Sequence, residues 1–193
     1  MILLCNYGGD DRYINEIETK QQIIKLCKNK FVAVIVNAKT ENNRQTDIEI
    51  SKFLTNNDIK NKLYDLYEKD DSWQQADVIY FGGGSPLRLM NAIVENGYSD
   101  FNWGQKDIIG QSAGGMILFD KFCDCPDEKY NSPELKITDF KVYNGLGIIH
   151  NKKVFTPHYN TLTSRIYGRT YLNFLEQNQL DSLNLNDYEY LLY

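Results

Sequence analysis

The feature that most constrains this chain is an alternation of short, unbroken apolar runs with longer amphipathic stretches. Ile2–Cys5, residues 31–36 and Val78–Phe81 are apolar throughout instead of at every second position, the pattern of strands covered on both faces. Residues 63–67 give a weaker strand pattern. Between the first two runs, Ile14, Ile17, Ile24 and Cys27 recur at roughly helical spacing and leave Glu16, Lys20 and Lys25 for solvent. Residues 45–54, 87–94, 113–122 and 165–175 carry four further helical patterns. Strand and helix alternating at these separations predict an α/β fold with a mostly parallel central sheet and helices on both faces. With 193 residues, the chain reads as a single domain over 1–193, large enough to build its core without disulfide or metal staples.

Charge and cysteine usage narrow the function. Lys plus Arg is 21 and Asp plus Glu is 26, a net charge of −5. That balance offers no basic surface for nucleic acid or an anionic membrane. The first apolar run is too short for the core of a signal peptide, and the longest is far too short to span a bilayer. Cys5, Cys27, Cys123 and Cys125 do not form a disulfide framework, so the reading is a reduced, cytoplasmic protein. Cys123-Asp124-Cys125 lacks the second Cys/His pair that a zinc site needs, and no metal or organic cofactor is expected. Residues 120–135, with two prolines and both late cysteines, read as a surface excursion that overhangs whatever site the preceding motif builds.

That motif is Gly110-Gln111-Ser112-Ala113-Gly114, a G-x-S-x-G string after a short strand at 107–109 and before a helical pattern. Small neighbours permit the tight strand-to-helix turn that exposes a serine hydroxyl and aims the next N–H at a developing oxyanion. A second glycine cluster, Gly82-Gly83-Gly84, ends the strand Val78–Phe81 and precedes Ser85-Pro86. Its backbone can approach a ligand closely, and the N–H of Gly83 or Gly84 can supply the other half of an oxyanion hole with Ala113. It follows neither dinucleotide nor P-loop spacing. A serine nucleophile needs an imidazole to take its proton, and the chain has two histidines. His150 reads as the solvent-facing end of a strand. His158, in Thr156-Pro157-His158-Tyr159 at the end of a β-like run, is the better base.

Together these motifs resemble the aspartyl dipeptidase (dipeptidase E-like) serine peptidase family. Cyanophycinases are relatives of that family, whose fold is similar to class I glutamine amidotransferases. The resemblance rests on Gly82-Gly83-Gly84, Gly110 to Gly114 and Pro157-His158-Tyr159, in that order, and it covers most of the chain. It implies a three-layer α/β/α sandwich and a third catalytic member near the C-terminus, aligned best with Asp187 and next with Glu189. Their order, serine then histidine then acid, differs from that of α/β-hydrolases.

The resemblance further implies cleavage after an N-terminal aspartate, with Arg88, Arg165 and Arg169 as guanidinium candidates for the side-chain carboxylate. A small peptide is then the partner, a homodimer is compatible with it, and neither nucleic acid nor membrane is expected. Two departures stand out. Ser85-Pro86 replaces the Asn-Thr common in relatives, and the chain stops at Tyr193, within the acid-bearing strand, which predicts a poorly supported acid. A catalytically weak binding protein on the same fold, or an esterase for small acyl groups, are the alternatives. A glutamine amidotransferase would carry Cys at position 112.

Overall fold

The computed structural model describes residues 1–6, 14–125, 134–162 and 166–193. Six strands make one sheet: β1 (Ile2–Cys5), β2 (Val32–Ile35), β3 (Asn61–Tyr64), β4 (Val78–Phe81), β5 (Asp107–Gln111) and β10 (Tyr190–Leu192). They lie in the order β10-β1-β5-β4-β2-β3. All neighbours are parallel except β10, which runs antiparallel to β1 at the edge.

The unbroken apolar runs have their physical reason in two cores. Leu4, Ala33, Ile35, Ile79, Phe81 and Ile108 face one core, while their neighbours Leu3, Val32, Val34, Val78, Tyr80 and Ile109 face the other. Successive residues of a strand point to opposite faces, so a strand covered on both has no polar position to offer. Helices α1 (Ile14–Cys27) and α2 (Gln45–Asn56) close one face through Ile23, Leu26, Ile50 and Leu54. On the other lie α3 (Pro86–Glu95) and the short α4 (Ala113–Met116). The result is a mixed, mostly parallel sheet between layers of helix.

Two smaller pairings complete the described chain. Strands β6 (Lys121–Asp124) and β7 (Lys141–Asn144) form an antiparallel pair. Strands β8 (Val154–Thr156) and β9 (Ser182–Asn184) form a parallel one, with α5 (Tyr159–Leu162) and α6 (Ile166–Gln177) between them.

Several expectations are corrected. The helix predicted over 113–122 stops at Met116: Phe119 enters a bridge with Ile149, and 121–124 pairs with β7. Apolar residues that serve strand and turn had mimicked a helical stripe. The strand predicted over 63–67 ends at Tyr64, and 66–68 forms a 3-10 turn capped by Asp65. On α1 the buried stripe is Thr19, Ile23, Leu26 and Cys27, while Ile17 is exposed. The segment 120–135 is no simple excursion, because its first part is β6, with Cys123, Asp124 and Cys125 fully buried; residues 126–133 lie outside the described chain. Burial pushes the Cys123 thiol up to about 12, and the neighbouring Asp124 charge adds to this. No described helix is long and apolar enough to cross a membrane.

Candidate active site

Ligands of open parallel sheets gather beyond the carboxyl ends of the strands, and here the motifs converge on the ends of β1, β5 and β4. The register sets Cys5 beside Gln111 and Phe81 beside Gly110. Asn6, Ser112 and Gly82 are therefore the next residues out on three adjacent strands.

Ser112 forms the turn from β5 into α4 with φ 49° and ψ −110°. Such a conformation costs a residue with a side chain on the order of 1–3 kcal/mol and persists only where its surroundings fix it. Here its N–H donates to Cys5 O at 3.1 Å, and its carbonyl accepts from Gly115 and Met116 at 2.9 and 3.0 Å. The motif's final glycine is required by contact: a Cβ on Gly114 would stand 2.2 Å from Phe81 O. Beneath the turn, buried Gln111 accepts a 3.0 Å bond from the Tyr80 hydroxyl.

The glycine cluster lies alongside. A Cβ on Gly83 would reach within 3.4 Å of Ser112 Cβ. Among the described residues, the N–H groups of Gly83, Gly84 and Ala113 donate to no acceptor. Gly84 has φ +143°, open to glycine and rarely to other residues. Ser85 caps α3 by accepting from Arg88 N at 3.2 Å, with Pro86 in the first turn. Ser85-Pro86 is thus explained as a helix start.

His158 arrives from a different part of the fold, two residues beyond β8 and with φ 56°. Phe155 of β8 stacks on Phe119, ring centroids 5.7 Å apart, and packs against the α4 turn at Gly115. This seats the histidine over the serine. His158 Nε2 lies 3.0 Å from Ser112 Oγ, and His158 Nδ1 is hydrogen-bonded to Asp187 Oδ1. A carboxylate can only accept, so the network assigns the ring proton to Nδ1 and leaves Nε2 to accept from the serine hydroxyl.

The acid is well supported, contrary to the expectation drawn from the sequence. Leu185 N donates to Thr156 O and Tyr159 N to Leu185 O, at 3.0 and 3.1 Å, tying the acid loop to the histidine loop. Asp187 N donates to Asn160 Oδ1 at 2.9 Å. The buried Asn6 side-chain amide donates to the carbonyls of Leu185 and Asn186 at 2.9 and 3.1 Å, and the Asn6 main-chain carbonyl accepts from Tyr188 N at 2.9 Å. Thr19 on α1 donates to Tyr188 O. Glu189, the other acid considered, instead accepts from the backbone and side chain of Asn186. Asp187 is thus the acid whose side chain is hydrogen-bonded to His158, and Glu189 the one turned to Asn186.

Of the arginines, Arg88 is half-buried in the first turn of α3, where its charge acts on Tyr67. Arg169 is exposed on α6 and makes no hydrogen bond to Ser112, His158 or Asp187. Arg165 lies outside the described residues. No cluster of three or more His, Cys, Asp or Glu among the described residues is arranged to hold a metal ion. Sequence reasoning missed Asn6, Thr19 and Asn160, whose only signal is a polar residue at the end of a strand or on a helix. It also missed Asp124, which accepts from Leu87 N behind the glycine loop.

With this geometry in view, the family model for peptidase family S51 matches residues 17–192. This chain belongs to peptidase family S51. Membership supports a peptidase, hence hydrolytic, function in general and a peptide as the substrate. Among solved structures, a Listeria monocytogenes EGD-e protein described as a candidate Peptidase E matches with a TM-score of 0.66 at 16% identity. The match covers 98% of this chain and 91% of that one. At that identity the likeness speaks for the fold. No curated protein matches.

Proposed function

We propose that this S51 member is a serine peptidase that hydrolyses small peptides through an acyl-enzyme on Ser112, on a class I glutamine amidotransferase-like fold. The observation that carries the reading is the unbroken hydrogen-bonded series Ser112 Oγ, His158 and Asp187. In the first step Ser112 Oγ bonds to the scissile carbonyl carbon while its proton passes to His158 Nε2. Asp187 holds the ring orientation and stabilises the imidazolium. The N–H groups of Gly83 or Gly84 and of Ala113 receive the oxyanion. The C–N bond then breaks, and His158 returns the proton to the departing amine. Water, losing a proton to the same nitrogen, attacks the ester; the bond from acyl carbon to Ser112 Oγ then breaks, and His158 returns that proton to the serine as the acyl group leaves as a carboxylic acid.

The substrate preference proposed is an N-terminal aspartyl residue, with Arg88, Arg165 and Arg169 as the candidates for its side-chain carboxylate. A panel of Asp-X, Glu-X and neutral dipeptides tests it. Asp-X should turn over fastest, and Ser112→Ala should abolish all turnover. Equal rates across the panel would remove the aspartyl assignment. Hydrolysis of small esters but of no dipeptide would favour an esterase.

A further inference from the structure

The glycine loop has two sides. Gly83 faces Ser112, while Gly82 and Gly84 press on a buried polar pair the proposed mechanism does not use. Lys39 Nζ lies 2.7 Å from Asp47 Oδ1, with the side chains 14% and 2% exposed. A Cβ on Gly82 would stand 2.5 Å from that same Asp47 oxygen. A Cβ on Gly84 would stand 2.2 Å from Ala38 O and 3.0 Å from Lys39 Cγ. Ser85 N donates to Ala38 O at 2.8 Å, fixing the loop's exit to the same segment. The second Asp47 oxygen is buried without a partner. Burial pushes the Asp47 carboxyl above its ordinary range, opposed by Lys39.

A buried ion pair is weak evidence for stability, since hydrophobic replacements often serve as well, but breaking one leaves an uncompensated charge. This one lies under a backbone loop whose positions 82 and 84 leave no room for side chains of their own. We propose that the Lys39–Asp47 pair is a positioning device that sets the Gly82–Gly84 backbone against Ser112, so that its free N–H groups meet the developing oxyanion. The proposal rests on the serine-hydrolase reading, which makes the loop an oxyanion hole. Lys39 and Asp47 touch no reacting atom. They act through the loop alone.

The test is the kinetics of a fluorophosphonate probe, whose phosphonyl oxygen takes the oxyanion position, on wild type, Asp47→Asn, Lys39→Met and the double variant. Each single variant should lower the maximal inactivation rate about tenfold or more while leaving the probe's half-saturation concentration within twofold. The double variant, having no orphaned charge, should be no slower than the slower single. Amide hydrogen exchange at Ser85, whose N–H donates to Ala38 O, should rise about tenfold in Asp47→Asn, with Gly97 beyond α3 unchanged. Wild-type inactivation rates in both folded single variants, or unchanged loop exchange, would overturn the proposal. A wild type unlabelled at Ser112 would instead remove the hydrolase reading, and loop exchange would still decide whether the pair holds the loop.

Discussion

Two histidines in this molecule face an aspartate through Nδ1, and their surroundings differ in every other respect. His150 and Asp120, 3.1 Å apart, have side chains 84% and 47% exposed. His158 and Asp187 have side chains 37% and 16% exposed. The exposed pair stands in solvent, where such contacts contribute about 0–1 kcal/mol. The sheltered pair sits between a serine held in a strained turn and a loop fastened to β1 and α1. A His–Asp contact alone therefore says little. What distinguishes the second is a third group within proton-transfer reach of Nε2, and fixed backbone on both sides.

Substitutions at each pair test this contrast. The largest effect is expected at Ser112: Ser112→Ala should lower peptide turnover and fluorophosphonate labelling to background. Asp187→Asn should lower turnover about 10²–10⁴-fold with the fold intact by circular dichroism, because the amide no longer fixes the productive tautomer. Asn6→Ala removes the side-chain amide that donates to the Leu185 and Asn186 carbonyls of the acid loop. It should destabilise the protein by about 1–3 kcal/mol in denaturant unfolding and slow turnover less than Asp187→Asn does. At the bottom of the scale, His150→Ala and Asp120→Ala should leave turnover within twofold. Activity that depended on His150 as strongly as on His158 would erase the distinction.

The cysteines sharpen the same lesson about accessibility. Burial pushes the Cys5, Cys27 and Cys123 thiols up to about 12, for Cys27 and Cys123 with smaller contributions from nearby charges. A thiol must be exposed and ionised to react. Native protein at pH 8 should therefore resist alkylation at these positions and react there only after unfolding.

The parallel sheet was readable because a strand buried on both faces has no alternative to an unbroken apolar run, as at residues 32–35 and 78–81. The serine turn was readable because Gly114 cannot be replaced without striking Phe81. Helix α4 was misread because Ile117, Leu118 and Phe119 are apolar for a turn and a bridge as much as for a helix. Asp187 aligned better than Glu189 in the sequence, but two acids two residues apart differ in what they reach only once the chain folds: Asp187 bonds His158, and Glu189 bonds Asn186. Asn6, Lys39 and Asp47 carry no local signature, because each acts on backbone far away in sequence.

The proposed chemistry requires the imidazole at 158 to activate the hydroxyl at position 112. Intact-mass and peptide-mapping measurements after fluorophosphonate treatment test it most directly. A single adduct on Ser112 is expected in the wild type, lost to background in a folded His158→Ala variant and retained in His150→Ala. An unlabelled Ser112 in folded wild-type protein, or undiminished labelling after removal of His158, would contradict it.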